Sequence, residues 1–429
     1  MHARSRGGQT IADAFPLLVA GLVAAVATVG ATIFAISPLL PDIAASFGVT
    51  PAQAGRLIGF YGLSMAIVAP TVGLLARRLP RAQVIIAGLL LFALVWLLAG
   101  VTRRFDVLLG LTLLAGAATG AVIPAAYAYA GDLSNFAQRG QVMGRIVSGW
   151  SIAVLLVVPV MATASQAVGW QAAFAALGVT ALLAATTLAL APRPRVTAGG
   201  ETAAALPVGP SLRRVLSHRP TLFVLVVNGV DMGAFYAVYA FLGNEIRRIN
   251  DWGAAPVGLA IAAYGAGLLL VTLNGRFIDR VGKTRSAVAA LAVLAGLLGG
   301  LPWVVGAPAL LIPAIVVWGC TQGVFFTAIT SLATEQIPEL RGVVTALLSG
   351  ATYLGVTLFS PLAVLLYERS GFAAVGALAG LASILAALLL AWPGARVASV
   401  ERLGAPGDTP REAPREAPRE APGKTRSTT

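Results

Sequence analysis

FPLLVAGLVAAVATVGATIFAISPLL, residues 15–40, is the stretch of sequence that decides the fold. It runs for 26 residues without a charged side chain, and about 20 apolar residues in a helix are enough to cross the hydrocarbon of a bilayer. The run is too long for the apolar core of a signal peptide, which has about 7–15 residues. It therefore predicts a membrane-spanning helix that is retained in the mature protein.

Eleven further apolar runs follow, so the sequence predicts twelve spans. They are expected at about 15–40, 55–76, 83–101, 106–130, 142–164, 170–191, 221–243, 256–278, 286–305, 309–333, 342–366 and 371–392. A helix satisfies its own backbone hydrogen bonds, which lipid cannot do. The alternating ten-residue segments typical of membrane β-barrels are absent from the sequence.

The composition also indicates a chain whose solvent is lipid. The 429 residues are 58% hydrophobic and 11% charged, whereas a soluble domain is about 25% charged. The net charge of +13 comes from basic residues in short gaps between apolar runs and in the tail, without the aromatic interleaving of a nucleic-acid interface. Cys320 is the single cysteine, which excludes an intramolecular disulfide and a thiolate metal cluster. We expect no cofactor, no metal and no nucleic-acid partner.

The distribution of charge predicts the orientation. With the N-terminus inside, 17 Lys and Arg residues precede the tail on the inner side and six lie on the outer side. This bias favours cytoplasmic termini and a multi-pass protein of the inner membrane. The predicted organisation is a cytoplasmic N-terminus 1–14, an N-terminal six-helix bundle 15–192, a cytoplasmic linker 193–219, a C-terminal six-helix bundle 220–393 and a disordered cytoplasmic tail 394–429.

The two halves of the sequence resemble each other. Matched positions include Tyr61-Gly62 with Tyr264-Gly265, Asp132 with Glu335, Arg139-Gly140 with Arg341-Gly342, and Pro159 with Pro361. Their shared order and near-equal spacing indicate a duplication. Two parallel six-helix repeats are typical of an alternating-access transporter. We therefore expect an all-α membrane protein with twelve transmembrane helices in two pseudo-symmetric six-helix bundles.

The loop between spans 8 and 9 carries a family resemblance. Its sequence is GRFIDRVGK, residues 275–283. It resembles the G-x-x-x-D-R-x-G-R/K loop of the major facilitator superfamily, and the resemblance extends over about residues 15–392. It implies a gating role for Gly275, Asp279, Arg280, Gly282 and Lys283. The alternative is that the basic residues only fix topology. The first-half copy departs from the pattern, since Arg77 replaces the aspartate and Pro80 the second glycine.

Span 5 is similar to that of the bacterial twelve-span drug and sugar efflux branch. Gly149 and Pro159 lie within it, and Gly169-Trp170 follows it. Proline removes one backbone hydrogen bond and kinks a helix, so Pro159 is a further gating candidate. The arginine that the family places in span 4 is replaced here by Thr112.

Asp231 is the ionisable residue that stands out within the spans, about ten residues into span 7. A carboxylate at membrane depth costs several kcal/mol unless it is paired, protonated or in a wet cavity. It shares a helical stripe with Asn228, Phe235 and Tyr239. We expect Asp231 to couple transport to protons; the alternative is a structural hydrogen bond through Asn228 or a neighbour. The predicted substrate cavity comprises Asn228, Phe235, Tyr239, Thr32, Tyr127, Gln322 and Tyr353.

Asp42 and Glu245 occupy matching positions at the outer ends of spans 1 and 7. Solvation by lipid headgroups explains both, with an outer gate as the alternative.

The sequence contains no catalytic or nucleotide-binding motif. It therefore predicts a secondary active transporter rather than an enzyme, and we expect a monomer. The expected activity is proton-coupled efflux of a small organic compound, namely a drug, sugar or metabolite. Import by a proton symporter or a uniporter is the first alternative. A membrane-embedded enzyme or a transporter-like sensor is the alternative of another class.

Overall fold

The computed structural model of the chain describes residues 5–75, 80–133, 139–191, 208–274 and 276–392. Within these ranges, eleven helices are long and apolar enough to cross a membrane. The last of them leaves the helical conformation at Gly371, where φ is 74°, so it provides two successive spans. The prediction of twelve spans and an all-α fold is confirmed.

The spans begin and end close to the predicted positions. In chain order they are Ser5–Phe47, Pro51–Leu75, Arg81–Ala99, Phe105–Leu133, the composite fifth span, Trp170–Leu190, Arg219–Asn250, Ala254–Asn274, Lys283–Val304, Pro308–Gln336 and the two parts of Arg341–Ala391. The fifth span consists of Arg139–Ile152, a π-helical turn at Ala153–Val157, and Val158–Val168. Short helices lie at Val208–Ser217 and Arg276–Val281, and a 3₁₀ turn at Pro338–Leu340.

Two helical segments extend beyond what the apolar runs indicate. The first helix begins at Ser5 rather than at residue 15, because a polar segment can continue a helix beyond the hydrocarbon. The helix Val208–Ser217 lies in the segment predicted as the linker. It buries Ser211 and Val215, one turn apart, on one face. Residues 193–207 of that segment and the tail 394–429 lie outside the described residues.

The two halves pack their helices through equivalent contacts. A Cβ atom added at Gly116 in span 4 would collide with the carbonyl oxygen of Tyr61 in span 2. One at Gly319 in span 10 would collide with the carbonyl oxygen of Tyr264 in span 8. Gly319 and Tyr264 each lie 203 residues after their counterparts. Small residues let backbones approach this closely in membrane proteins, and the repetition shows two pseudo-symmetric bundles.

An ion pair is repeated in the same way. Arg81 at the start of span 3 pairs with Asp132 at the end of span 4. Lys283 at the start of span 9 pairs with Glu335 at the end of span 10, at 2.5 Å. Span 6 ends and span 7 begins on this side of the bundle, which we call the linker end. The other side is the distal end.

The halves meet tightly at the distal end, through spans 1 and 7. The Ser37 hydroxyl donates a hydrogen bond to the carbonyl oxygen of Tyr239 at 2.5 Å and accepts one from the amide of Gly243 at 3.0 Å. Arg247 binds Asp42 at 2.7 Å. These contacts join the first half to the second and close the distal end.

Candidate functional site

The predicted key residue, Asp231, lies at the centre of the bundle with no exposed surface. One of its carboxyl oxygens accepts a hydrogen bond from the side-chain amide of Gln322 in span 10, at 2.6 Å. Its other oxygen has no hydrogen-bond partner in the part of the chain that the structure describes. The ion pairs of that part do not include Asp231. A buried carboxyl group without a counter-ion is most stable when neutral.

Aromatic rings continue this pairing of spans 7 and 10 towards the distal end. Phe235 lies one turn beyond Asp231, and Trp318 lies one turn from Gln322 on the antiparallel span. Their ring centroids are 5.1 Å apart. Tyr239 follows one turn further and stacks on Phe235 at 5.6 Å. Spans 7 and 10 are therefore joined at the site by one polar contact, Asp231 with Gln322, and by aromatic contacts next to it. We call this row of contacts the ladder.

A ring from the first half enters the second half beside this ladder. Phe34 of span 1 contacts Trp150 of its own half, with ring centroids 6.2 Å apart. It also lies between four rings of the second half, those of Phe235, Tyr236, Tyr239 and Tyr264, which we call the aromatic slot. Its centroid is 5.2 Å from that of Tyr239 and between 6.2 and 6.3 Å from the other three. The hydroxyl of Tyr239 also donates a hydrogen bond to the carbonyl oxygen of Phe34, at 3.0 Å. The slot and its occupant thus belong to different halves.

The structure places some of the predicted cavity residues elsewhere around the centre. Asn228 turns towards span 11, where its amide donates to the hydroxyl of Thr352 at 2.8 Å, so it does not bond Asp231. Tyr127 accepts a hydrogen bond from the indole of Trp150 at 2.8 Å, within the first half. Thr32 and Tyr353 are buried. Of the predicted residues, Gln322 binds Asp231 directly, and Phe235 and Tyr239 follow Asp231 on the same helix, one and two turns further on.

Three residues of the centre were missed in the sequence prediction of the cavity: Phe34, Tyr236 and Tyr264. Phe34 and Tyr236 lie in apolar runs, where nothing distinguishes them from packing residues. Tyr264 carried a signal, since it is part of the internal repeat, but that signal indicated duplication rather than a site.

The predicted gating residues are described in part. Gly275 and the side chain of Asp279 lie outside the described residues. Arg280 is exposed. Gly282 has a φ of 95°, a conformation that favours glycine, and it starts the turn into the helix of Lys283. Pro159 follows the π-helical turn directly.

The distal carboxylates differ from their expected state. Glu245 is buried, with 3% of its surface exposed. It accepts hydrogen bonds from the hydroxyl of Tyr367 and from Arg248, the latter at 2.7 Å. The expectation that headgroups solvate Glu245 was wrong, because its own half supplies these partners. Asp42 instead binds Arg247 of the other half.

Comparison with known proteins identifies the class. The family model of the Major Facilitator Superfamily matches residues 22–349 and again 225–424. The chain belongs to this superfamily and is a multi-pass membrane transporter. The superfamily consists of transporters rather than enzymes.

The relatives cover most of the chain. An uncharacterized MFS-type transporter, YwfA of Bacillus subtilis (strain 168), is 31% identical over 379 residues, which are 87% of this chain and 92% of YwfA. A chloramphenicol resistance protein of Streptomyces lividans is 30% identical over 341 residues, 79% of this chain and 85% of that protein. A crystal structure of the nucleoside transporter NupG has a TM-score of 0.71 at 11% identity and covers 87% of this chain and 99% of its own. It shows that the fold is shared.

Proposed function

We propose that this protein is a proton-coupled secondary transporter that exports a small organic compound across the inner membrane by alternating access. Asp231 is the residue that binds the proton. The observation that carries the proposal is its setting, fully buried against span 10, with one amide partner and one carboxyl oxygen without a partner among the described residues. Such a group can be neutral while enclosed and can ionise when the cavity opens to water on either side.

The direction of transport rests on the relatives and on the sequence. One relative is named a chloramphenicol resistance protein. Another is named a probable sugar efflux transporter, from Mannheimia succiniciproducens, and is 24% identical over 74% of this chain and 79% of its own length. Both names describe protection or export. The bias of basic residues favours cytoplasmic termini, which makes the linker end cytoplasmic and the distal end external. We propose a monomer with the domain boundaries stated above.

The test is transport in proteoliposomes with an imposed pH gradient. Chloramphenicol serves as the first probe, and accumulation is measured in both orientations of the gradient. Asp231→Asn replaces the carboxyl group with an amide of similar shape, which cannot bind and release the proton. We expect it to lose gradient-driven accumulation and substrate-linked proton movement, while exchange without a gradient persists.

The matched control is Asp106→Asn, the same change at an exposed carboxylate that pairs with Arg104 at 2.5 Å. We expect this variant to accumulate the probe as the native protein does. Full gradient-driven accumulation by Asp231→Asn would contradict the assignment of the proton site. Accumulation of the probe in the same direction as the proton flux would show proton symport rather than proton-coupled export.

A further inference from the structure

Phe34 fills the aromatic slot of the other half as a ligand ring would. We infer that the slot formed by Phe235, Tyr236, Tyr239 and Tyr264 is the subsite for an aromatic ring of the transported compound. Phe34 occupies that subsite while the halves are together. The inference names the substrate class of the site proposed above and so rests on the proposed function.

The slot has the geometry that aromatic rings select. Phe34 meets Tyr239 edge to face, at an interplanar angle of 89°, and Phe235 at 76°. It is tilted by 39° to Tyr236 and by 32° to Tyr264. Edge-to-face pairs with centroids about 4.5–7 Å apart are the arrangement that ring quadrupoles favour. A saturated ring has no such quadrupole, so the slot prefers an aryl group to an alkyl group of equal size.

The walls and the occupant are carried by different bodies. The four walls lie on spans 7 and 8 of the second half, whereas Phe34 lies on span 1 of the first half. When the halves rock apart, the walls stay together and Phe34 withdraws. The substrate's ring then has access to the place that Phe34 leaves.

Unpartnered polar atoms lie next to the slot and indicate which polar group the ligand carries. In the described ranges, one carboxyl oxygen of Asp231, the amide oxygen of Gln322 and the indole nitrogen of Trp318 are buried without hydrogen-bond partners. Phe235 joins these atoms to the slot, since its ring is 5.1 Å from that of Trp318. The neutral carboxyl group of Asp231 and the indole of Trp318 can each donate a hydrogen bond, and the amide oxygen of Gln322 can accept one, which suits a polar substituent such as an amide. The substrate class is therefore an aryl compound with a hydrogen-bonding substituent close to the ring.

The test compares two carboxamides of similar size, benzamide with its planar aromatic ring and cyclohexanecarboxamide with its saturated, chair-shaped ring. Their binding to the purified full-length protein is measured by equilibrium dialysis. The native protein should bind benzamide more tightly. Phe34→Ala removes the competing ring, so its affinity for benzamide should rise about tenfold, which corresponds to about 1.4 kcal/mol. Its affinity for cyclohexanecarboxamide should rise less.

Phe47→Ala is the matched control. Phe47 lies on the same span, but it packs on Phe105 and Trp170 of its own half, at 5.9 and 5.8 Å. This variant should bind both probes as the native protein does. An equal gain for both probes in Phe34→Ala, or the same gain in the control, would overturn the aryl subsite.

A change in the wall tests the inference without removing Phe34. Phe235→Leu keeps an apolar side chain but removes the ring, so the preference for benzamide should fall. An unchanged preference would count against the slot. These are binding measurements and do not depend on proton coupling. A retained aryl preference together with gradient-driven transport by Asp231→Asn would leave the subsite standing and remove the proton assignment. Loss of coupling in Asp231→Asn without an aryl preference in the native protein would keep the proton assignment and remove the aryl subsite.

Discussion

Gly243 offers a way to change the balance between the closed and open distal end. A Cβ atom at this position would lie 2.6 Å from the carbonyl carbon of Ser37 and 2.7 Å from the nitrogen of Pro38, both in the other half. Carbon atoms prefer separations of about 3.5–4.0 Å. Gly243→Ala therefore requires spans 1 and 7 to separate by roughly 1 Å at this point.

The expected magnitude follows from the cost of overpacking, about 1–3 kcal/mol. The contact exists only while the distal end is closed, so this cost applies to one state alone. The gain in helix propensity from glycine to alanine, about 1 kcal/mol, applies to both states and cancels. Gly243→Ala should shift the equilibrium towards the open distal end by roughly 5- to 150-fold.

The assay is a distance measurement by double electron–electron resonance. Spin labels on cysteines introduced at Val101 and Ala309, which are exposed at the distal end in opposite halves, report the separation in a Cys320→Ser background. Gly243→Ala should populate a longer distance. Gly300→Ala, where a Cβ atom would meet nothing within 4 Å, should not. An identical distance distribution in Gly243→Ala and the native protein would refute the reasoning.

Two further predictions concern the linker end and the last two spans. Lys283→Ala and Glu335→Ala should impair transport to a similar degree, and the double variant should be no worse than either, because the two side chains form one ion pair; additive losses in a double-mutant cycle would contradict this. Gly371→Ala forces a side chain into a φ of 74° with a ψ of −171°, a region that is essentially restricted to glycine, so it should lower the free energy of unfolding by about 1–3 kcal/mol. Thermal stability in detergent measures this, and an unchanged midpoint would show that the bend adapts.

Much of the fold could be predicted because lipid imposes a simple rule on the sequence. Each span must be an apolar helix, so the twelve runs are visible without knowledge of their packing. Gly371 illustrates the limit of this rule. The run 342–392 is interrupted only by Glu368 and Arg369, and the structure divides it into two spans at Gly371, which leaves the helical conformation.

The site was less accessible from the sequence. Asp231 is visible because a charge is rare in an apolar run. Its partner Gln322 lies 91 residues away, and only the packing of spans 7 and 10 brings them together. Phe34 gives no signal at all, because a phenylalanine in a membrane span is ordinarily a packing residue. Its position in the slot depends on how the two halves meet, which no local pattern encodes.

The π-helical turn of span 5 has a consequence for how one helix serves two surfaces. A residue inserted into an α-helix rotates everything beyond it by about 100°. Before the turn, a Cβ atom at Gly149 would lie 2.9 Å from the side chain of Val26 in its own half. After it, the Cα atom of Pro159 faces Gly258 in the other half, 3.2 Å from where a Cβ atom there would lie. The extra residue thus sets the azimuth of the second segment relative to the first, so that Gly149 packs on span 1 while Pro159 faces span 8.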